Sequence, residues 1–316
     1  MIKSLSDPEL EMTGCDLHGY QRLKAKCFRK SISGYFFSLP ALIVIFSLVA
    51  YPFCMAIYLS LTDAWVGSSG NFIGLQHYFD LLQNEIFIQT LKNSLTYTFF
   101  SVTLKIVLGM GLALLLNQKI KFRKFFRGAI LLPWVIPNTL STLGWLWMFD
   151  PLFSVFNWVL KNIGLIEKGV PWLSNPYWAM FSVIMINVWR GLPFFAITML
   201  AGLVSIPKEL HRAARIDGAG SVKCFFHITL PLLKPLILIV VLFSTIFTIS
   251  DFNIVYILTR GGPMNMTHLL STLSFQIGLS GGKLGQGAAI SLFMFPVLCV
   301  VVYFQLKTIQ KGSTYD

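Results

Sequence analysis

Six apolar runs alternate with polar segments along this chain of 316 residues, at about 34–60, 92–117, 128–149, 176–202, 236–257 and 286–306. A helix needs roughly 20 residues to cross a hydrocarbon core of about 30 Å at a rise of about 1.5 Å per residue, and every run meets that length. The runs predict an all-α membrane protein of six transmembrane helices. Pro133 and Pro137 fall within the third run and predict a bend, since neighbouring helices can satisfy the carbonyls that proline frees. Trp158 and Trp172 in segment 150–175 are expected to lie along the membrane interface.

The longest polar interruption is Ser205 to Pro235, and it reads as two short helices at a corner. Pro207 suits the first turn of a helix, where its missing N–H is not needed. Lys208 to Ile216 gives little more than two turns, with Leu210, Ala213, Ala214 and Ile216 forming a narrow apolar side. Asp217-Gly218 closes it, because glycine reaches the left-handed conformation that ends helices. Ser221 is a candidate N-cap for a second helix running to Thr229, and Pro231 and Pro235 mark the entry to the next apolar run.

Composition agrees with that pattern: the chain is 55% hydrophobic and 12% charged, with a mean hydropathy of +0.69. Its net charge of +12 would suit a nucleic-acid binder, but the basic residues sit in short loops between apolar runs. Segments 1–33, 118–127, 203–234 and 307–316 carry 18 Lys and Arg, whereas segments 61–91, 150–175 and 258–284 carry 4. The positive-inside rule therefore places both termini and the Ser205–Pro235 segment in the cytoplasm. The domain reading is a cytoplasmic tail 1–33, a membrane domain 34–310 containing the loop 203–235, and a tail 311–316. No cleavable signal peptide is expected, because about thirty polar residues precede the first apolar run. The five cysteines show no C-x-x-C and no metal spacing with histidine, so neither a disulfide nor a metal site is expected.

Polar residues at membrane depth are costly and invite a functional reading. In the fifth run Ser244, Phe247, Thr248 and Asp251 fall on one helical face; in the fourth, Asn187, Arg190, Gly191 and Phe194 form another. Together they offer directional hydrogen-bonding groups and flat rings, the mixture a sugar needs. The structural alternative is that the hydroxyls bond their own helices, that Asn187 and Trp189 are packing residues, and that Arg190 and Asp251 neutralise each other across two helices. Thr259-Arg-Gly-Gly-Pro263 reads as a tight turn capping the fifth helix. His211 and His227 have no partners at metal spacing.

The Arg212-Ala-Ala-Arg-Ile-Asp-Gly-Ala219 and Phe226-His-Ile-Thr-Leu-Pro231 segments resemble the EAA loop of bacterial ABC-transporter permeases. Phe72–Tyr78, Leu131–Pro137, Trp189–Pro193 and Leu258–Pro263 are similar to segments of the carbohydrate-uptake, maltose-permease-like branch. The resemblance covers roughly 34–310. It implies a permease subunit of a binding-protein-dependent importer in a cytoplasmic (inner) membrane. It also implies ATPase coupling through Glu209, Arg212, Ala213, Ala214, Asp217, Gly218 and Ala219, and solute contacts at the two polar faces. Arg212 stands where the family carries glutamate, so either the ATPase surface differs or Glu209 supplies the acidic group. The implied partners are a second homologous permease, two ATPases using ATP and Mg, an extracytoplasmic solute-binding protein and membrane lipid, with no nucleic acid. This chain itself is expected to bind no cofactor and to have no catalytic residue. A disaccharide or short oligosaccharide is the first expectation for the solute; a glycerol phosphodiester, sugar phosphate or other polar organic solute is the alternative, favoured by Arg190. An intramembrane enzyme or a channel fits poorly, since no Walker A, no embedded nucleophile–base pair and no selectivity filter is present.

Overall fold

The computed structural model describes residues 37–68, 70–118 and 121–313, with side chains to Thr308. The tail 1–33 with Cys15 and Cys27, Lys119, and residues 314–316 of the C-terminal tail lie outside them. The chain divides into two units, Met1–Ala56 and Ile57–Asp316. What is described of the first is apolar helix with a π-helical turn at Phe46–Ala50; everything below concerns the second.

Among the described residues there are helices and two isolated bridges but no strand. Five helices are long and apolar enough to cross a membrane, and a bent pair makes a sixth. They are α1 (Phe37–Ser60), α2 (Glu85–Asn117), the pair Arg123–Val135 and Asn138–Met148 (the latter α3), α4 (Pro176–Ser205), a run Ser221–Leu258 whose central piece is α5 (Leu230–Ile249), and α6 (Leu284–Thr308). The expected bend in the third is a turn of 92° around Pro137, which caps α3. Asn84 starts α2 by accepting from the Phe87 N–H, and Asn175 starts α4 by accepting from Tyr177 and Trp178, with Pro176 at the first position.

Three outlines differ from the sequence reading. The second spanning helix begins at Glu85 rather than about 92, because Asn84 caps one turn before the continuous apolar run. The second short helix does not stand alone: Ser221–Cys224 passes through a π-helical turn, Phe225–Thr229, directly into α5. Pro231 is tolerated there as a first-turn residue. Trp172 is buried, not interfacial. Its indole N–H donates to Asn157 Oδ1 at 3.0 Å and its ring packs against Phe149 and Trp178, whereas Trp158 is exposed as expected.

α2 and α4 form the most extensive helix pair, and small residues allow it. A Cβ on Gly109 would stand 2.5 Å from the Cβ of Phe195, and one on Gly191 would stand 2.7 Å from Cε of Lys105. On the α5 side Met110, Ala113, Phe195, Met199, Leu203, Leu233 and Val240 form one apolar cluster. The crossing of α2, α4 and the Ser221–Leu258 run thus has an apolar half, and a polar half that holds the site.

Candidate functional site

The polar half surrounds a cavity of about 460 Å³. Asn187, Arg190, Gly191 and Phe194 of α4, Ser244 and Phe247 of α5, and Asp251 just beyond it all line the wall. Both sequence-predicted faces therefore meet in one space. Thr248 does not line it: it is fully buried behind the wall. Asp251 is not on the helical face either. The helix ends at Ile249, and the Ser250–Phe252 break turns the carboxylate inward, with the Asp251 N–H donating to Thr248 O and its carbonyl accepting from Ser271.

The sequence reading missed Lys105 of α2, Trp134 and Asn138 beside the bend, and Ser250, Phe252 and Asn253 in the break, all in the cavity wall. It also missed Tyr97, which stands behind it. Lys105 is buried, and its ammonium donates to Thr248 Oγ1 at 3.0 Å and Ser244 Oγ at 3.5 Å. Asp251 Oδ2 accepts from the Tyr97 hydroxyl at 2.7 Å and from Asn187 Nδ2 at 2.9 Å. The anticipated Arg190–Asp251 ion pair does not form; Asp251 is saturated by neutral donors instead, and Nε of Arg190 is buried without an acceptor. The hydroxyls of Ser244 and Thr248 receive Lys105 rather than bonding their own helix. Trp189 packs edge-on against Trp145, in line with a packing role.

Gly191 serves this arrangement by having no side chain, since the Lys105 stem occupies the space a Cβ would fill. Phe194 and Trp134 face each other at 6.2 Å and give the cavity an aromatic rim. Directional donors and acceptors beside flat apolar rings suit a polyhydroxylated ring with C–H faces.

The second candidate surface is the polar corner. Lys208–Ile216 is a helix capped at Pro207 and closed by Gly218 at φ +80, with the Ala219 N–H donating to Ala214 O at 2.9 Å. Glu209, Arg212, Ala213, Asp217 and Gly218 are exposed there, and Ala214 and Ala219 half-buried. Leu210, Ile216, Val222 and Phe226 are exposed as well, Ile216 at 87%. His211 Nε2 meets Thr229 Oγ1 at 3.1 Å and ties this helix to the base of the α5 run. At the other end of that run, Thr259 Oγ1 bonds Val255 O and Thr267, and Gly261 at φ +87 lies so close under His268 that a Cβ would overlap the imidazole. The turn thus caps the helix as read, with His268 as its unforeseen floor. Among the described residues no His, Cys, Asp and Glu cluster could hold a metal.

Residues 105–313 match the family described as binding-protein-dependent transport system inner membrane component. The trehalose/maltose transport system permease protein of Thermococcus litoralis is 34% identical over 281 residues, covering 89% of this chain and 94% of that protein. The sulfoquinovosyl glycerol transport system permease protein of Agrobacterium fabrum is 35% identical, covering 86% and 88%. In three dimensions the chain resembles a chain of a bacterial ABC transporter that imports the acidic polysaccharide alginate, with a TM-score of 0.77, 25% identity and coverage of 92% and 99%. A second structure of an alginate ABC transporter, in complex with a periplasmic protein bound to an alginate pentasaccharide, gives a TM-score of 0.75 at 26% identity and coverage of 89% and 94%.

Proposed function

We propose, from the premise that this chain belongs to the family of binding-protein-dependent transport system inner membrane components, that it forms half of the translocation path of a sugar importer. It is a multi-pass membrane subunit of an ABC transporter. The cavity between α2, α4 and α5 carries the reading, because ring faces and convergent polar groups at membrane depth suit a sugar and little else of that polarity. Relatives named for trehalose/maltose and for sulfoquinovosyl glycerol, and structural neighbours that import alginate, favour a disaccharide, a glycoside or a short oligosaccharide. The other half of the path comes from a second homologous permease, and an extracytoplasmic binding protein delivers the solute.

The exposed apolar side of Lys208–Ile216, rimmed by Glu209 and Arg212, docks on a cytoplasmic ATPase. Closure of two such ATPases on ATP and Mg moves that helix, and His211 passes the movement to the α5 run through Thr229. Both termini then lie in the cytoplasm, as the charge asymmetry requires. The test is uptake by the assembled transporter in proteoliposomes. Sugar should enter only with ATP and the loaded binding protein, and Arg212→Cys should crosslink to the ATPase from the cytoplasmic side. Labelling of that cysteine from outside intact cells would overturn the topology and the coupling together.

A further inference from the structure

We infer that the cavity is built for an acidic carbohydrate, one whose oxyanion lies against Arg190 while a neighbouring hydroxyl donates to Asn187. The inference rests on the carrier reading and narrows it. Three ionisable side chains stand around the cavity, two cationic and one acidic, and none pairs with another. Lys105 is spent on two hydroxyls, and Asp251 on the Tyr97 hydroxyl and the Asn187 amide. Arg190 is left half-buried in the wall with a buried Nε that meets no acceptor.

A cation at membrane depth without a counter-charge is expensive, and such residues mark substrate paths. One turn before Arg190 on the same face, Oδ1 of the buried Asn187 also lacks a partner. Its orientation is fixed, because the carboxylate of Asp251 only accepts and so holds the amide NH₂. The open positions are therefore a guanidinium donor and, three residues away, an amide acceptor. A neutral sugar hydroxyl satisfies the second but leaves the first without its charge partner. An acid group beside a free hydroxyl satisfies both: a uronate, a 6-sulfonate or a sugar phosphate. Lys105 adds to the positive field from behind the wall.

Four probes separate the possibilities: one neutral disaccharide and its 6-carboxylate, 6-sulfonate and 6-phosphate forms. Each is offered to the complete transporter in proteoliposomes with its binding protein, as wild type, Arg190→Gln and Arg190→Lys. Comparing one probe between variants cancels the selectivity of the binding protein. Arg190→Gln should lower uptake of the accepted acid form by about tenfold to a hundredfold, the worth of a hydrogen bond to a charged group. It should change neutral uptake by less than about twofold, and Arg190→Lys should recover part of the loss. Which acid form responds identifies the oxyanion. Uptake of the neutral probe alone, or an equal fall for neutral and acid probes, overturns the inference and leaves the carrier standing. Loss of complex assembly in Arg190→Gln, read by size-exclusion chromatography, assigns Arg190 to a subunit contact and overturns it too. Failure of the wild type to carry any probe under ATP overturns the sugar reading itself.

Discussion

Gly191 offers a sharp test, because its contribution lies in what it leaves empty. A Cβ there would stand 2.7 Å from Cε, 3.0 Å from Cδ and 3.1 Å from Nζ of Lys105, against a carbon–carbon separation of about 3.5–4.0 Å in ordinary contact. In Gly191→Ala the lysine stem must withdraw by roughly 1 Å. The Lys105–Thr248 hydrogen bond at 3.0 Å then exceeds hydrogen-bonding distance, and the Ser244 contact at 3.5 Å has no slack at all. The loss is one hydrogen bond to a charged group, about 1.5–3 kcal/mol, or roughly tenfold to a hundredfold in solute-stimulated ATP hydrolysis if the pinned lysine matters for transport. Stability should move little, since a flexible stem yields easily. Gly109→Ala is the contrasting control. Its Cβ would meet Cβ of Phe195 at 2.5 Å, an atom fixed to the opposing backbone, so overpacking should cost about 1–3 kcal/mol and lower the melting temperature of the purified complex. A double-mutant cycle completes the argument: once Lys105→Ala has emptied the slot, Gly191→Ala should cost nothing further. An undiminished loss in that background would refute the slot and leave Gly191 with some other purpose.

The remaining predictions concern both ends of the α5 run. Burial pushes the His268 imidazole below its ordinary value, and a hydrogen bond to Gln276 pulls part of the way back. A depressed folded value means that the unfolded chain binds the proton more readily, so the turn keeps its full stability above about pH 6.5 and loses it as pH falls below; limited proteolysis of segment 259–272 should accelerate from pH 7.5 to pH 5, and His268→Gln should flatten that dependence. Gly261→Ala combines a φ of +87 with overlap on the His268 ring, and should open the same segment to protease at every pH without altering α2 and α4. Gly218→Ala meets no neighbour but requires a left-handed alanine, costing about 1 kcal/mol; it should weaken crosslinking of Arg212→Cys to the ATPase more than it lowers the melting temperature.

Much of this was legible because apolar length and helical spacing are local properties of sequence. The spans were readable within a few residues, as were the closure at Gly218 and the two polar faces that meet in the cavity. Lys105 is the instructive miss. It is one lysine in the long apolar run of α2, a position at which solvation cost alone signals function, yet no neighbour on its own helix shares the chemistry. Its partners belong to α5, and no periodicity links residues 139 and 143 positions apart. The same limit explains the false pairing of Arg190 with Asp251. Opposite charges on adjacent helices suggest an ion pair, but Tyr97 and Asn187 reach the carboxylate, and only the packing of α2 and α4 shows that they can. Trp172 followed composition where it should have followed its indole N–H, which finds a buried acceptor in Asn157.

The choice of neutral partners for charged groups has a consequence for a protein that must move. Tyr97 and Lys105, eight residues and so about 12 Å apart on α2, both donate to the α5 run: one to Asp251 beyond its end, the other to Thr248 and Ser244 within it. Asn187 ties α4 to the same carboxylate. The three helices are thus joined at two levels by hydrogen bonds between an ion and a neutral group. A direct Lys105–Asp251 or Arg190–Asp251 pair in so dry a place would be harder to part, because separating it leaves two uncompensated charges. A hydroxyl or amide released from an ion can be replaced by water or by a sugar hydroxyl at much lower cost. The arrangement holds the resting cavity in register while leaving its walls separable, and the groups that must be replaced when they part are those a carbohydrate carries.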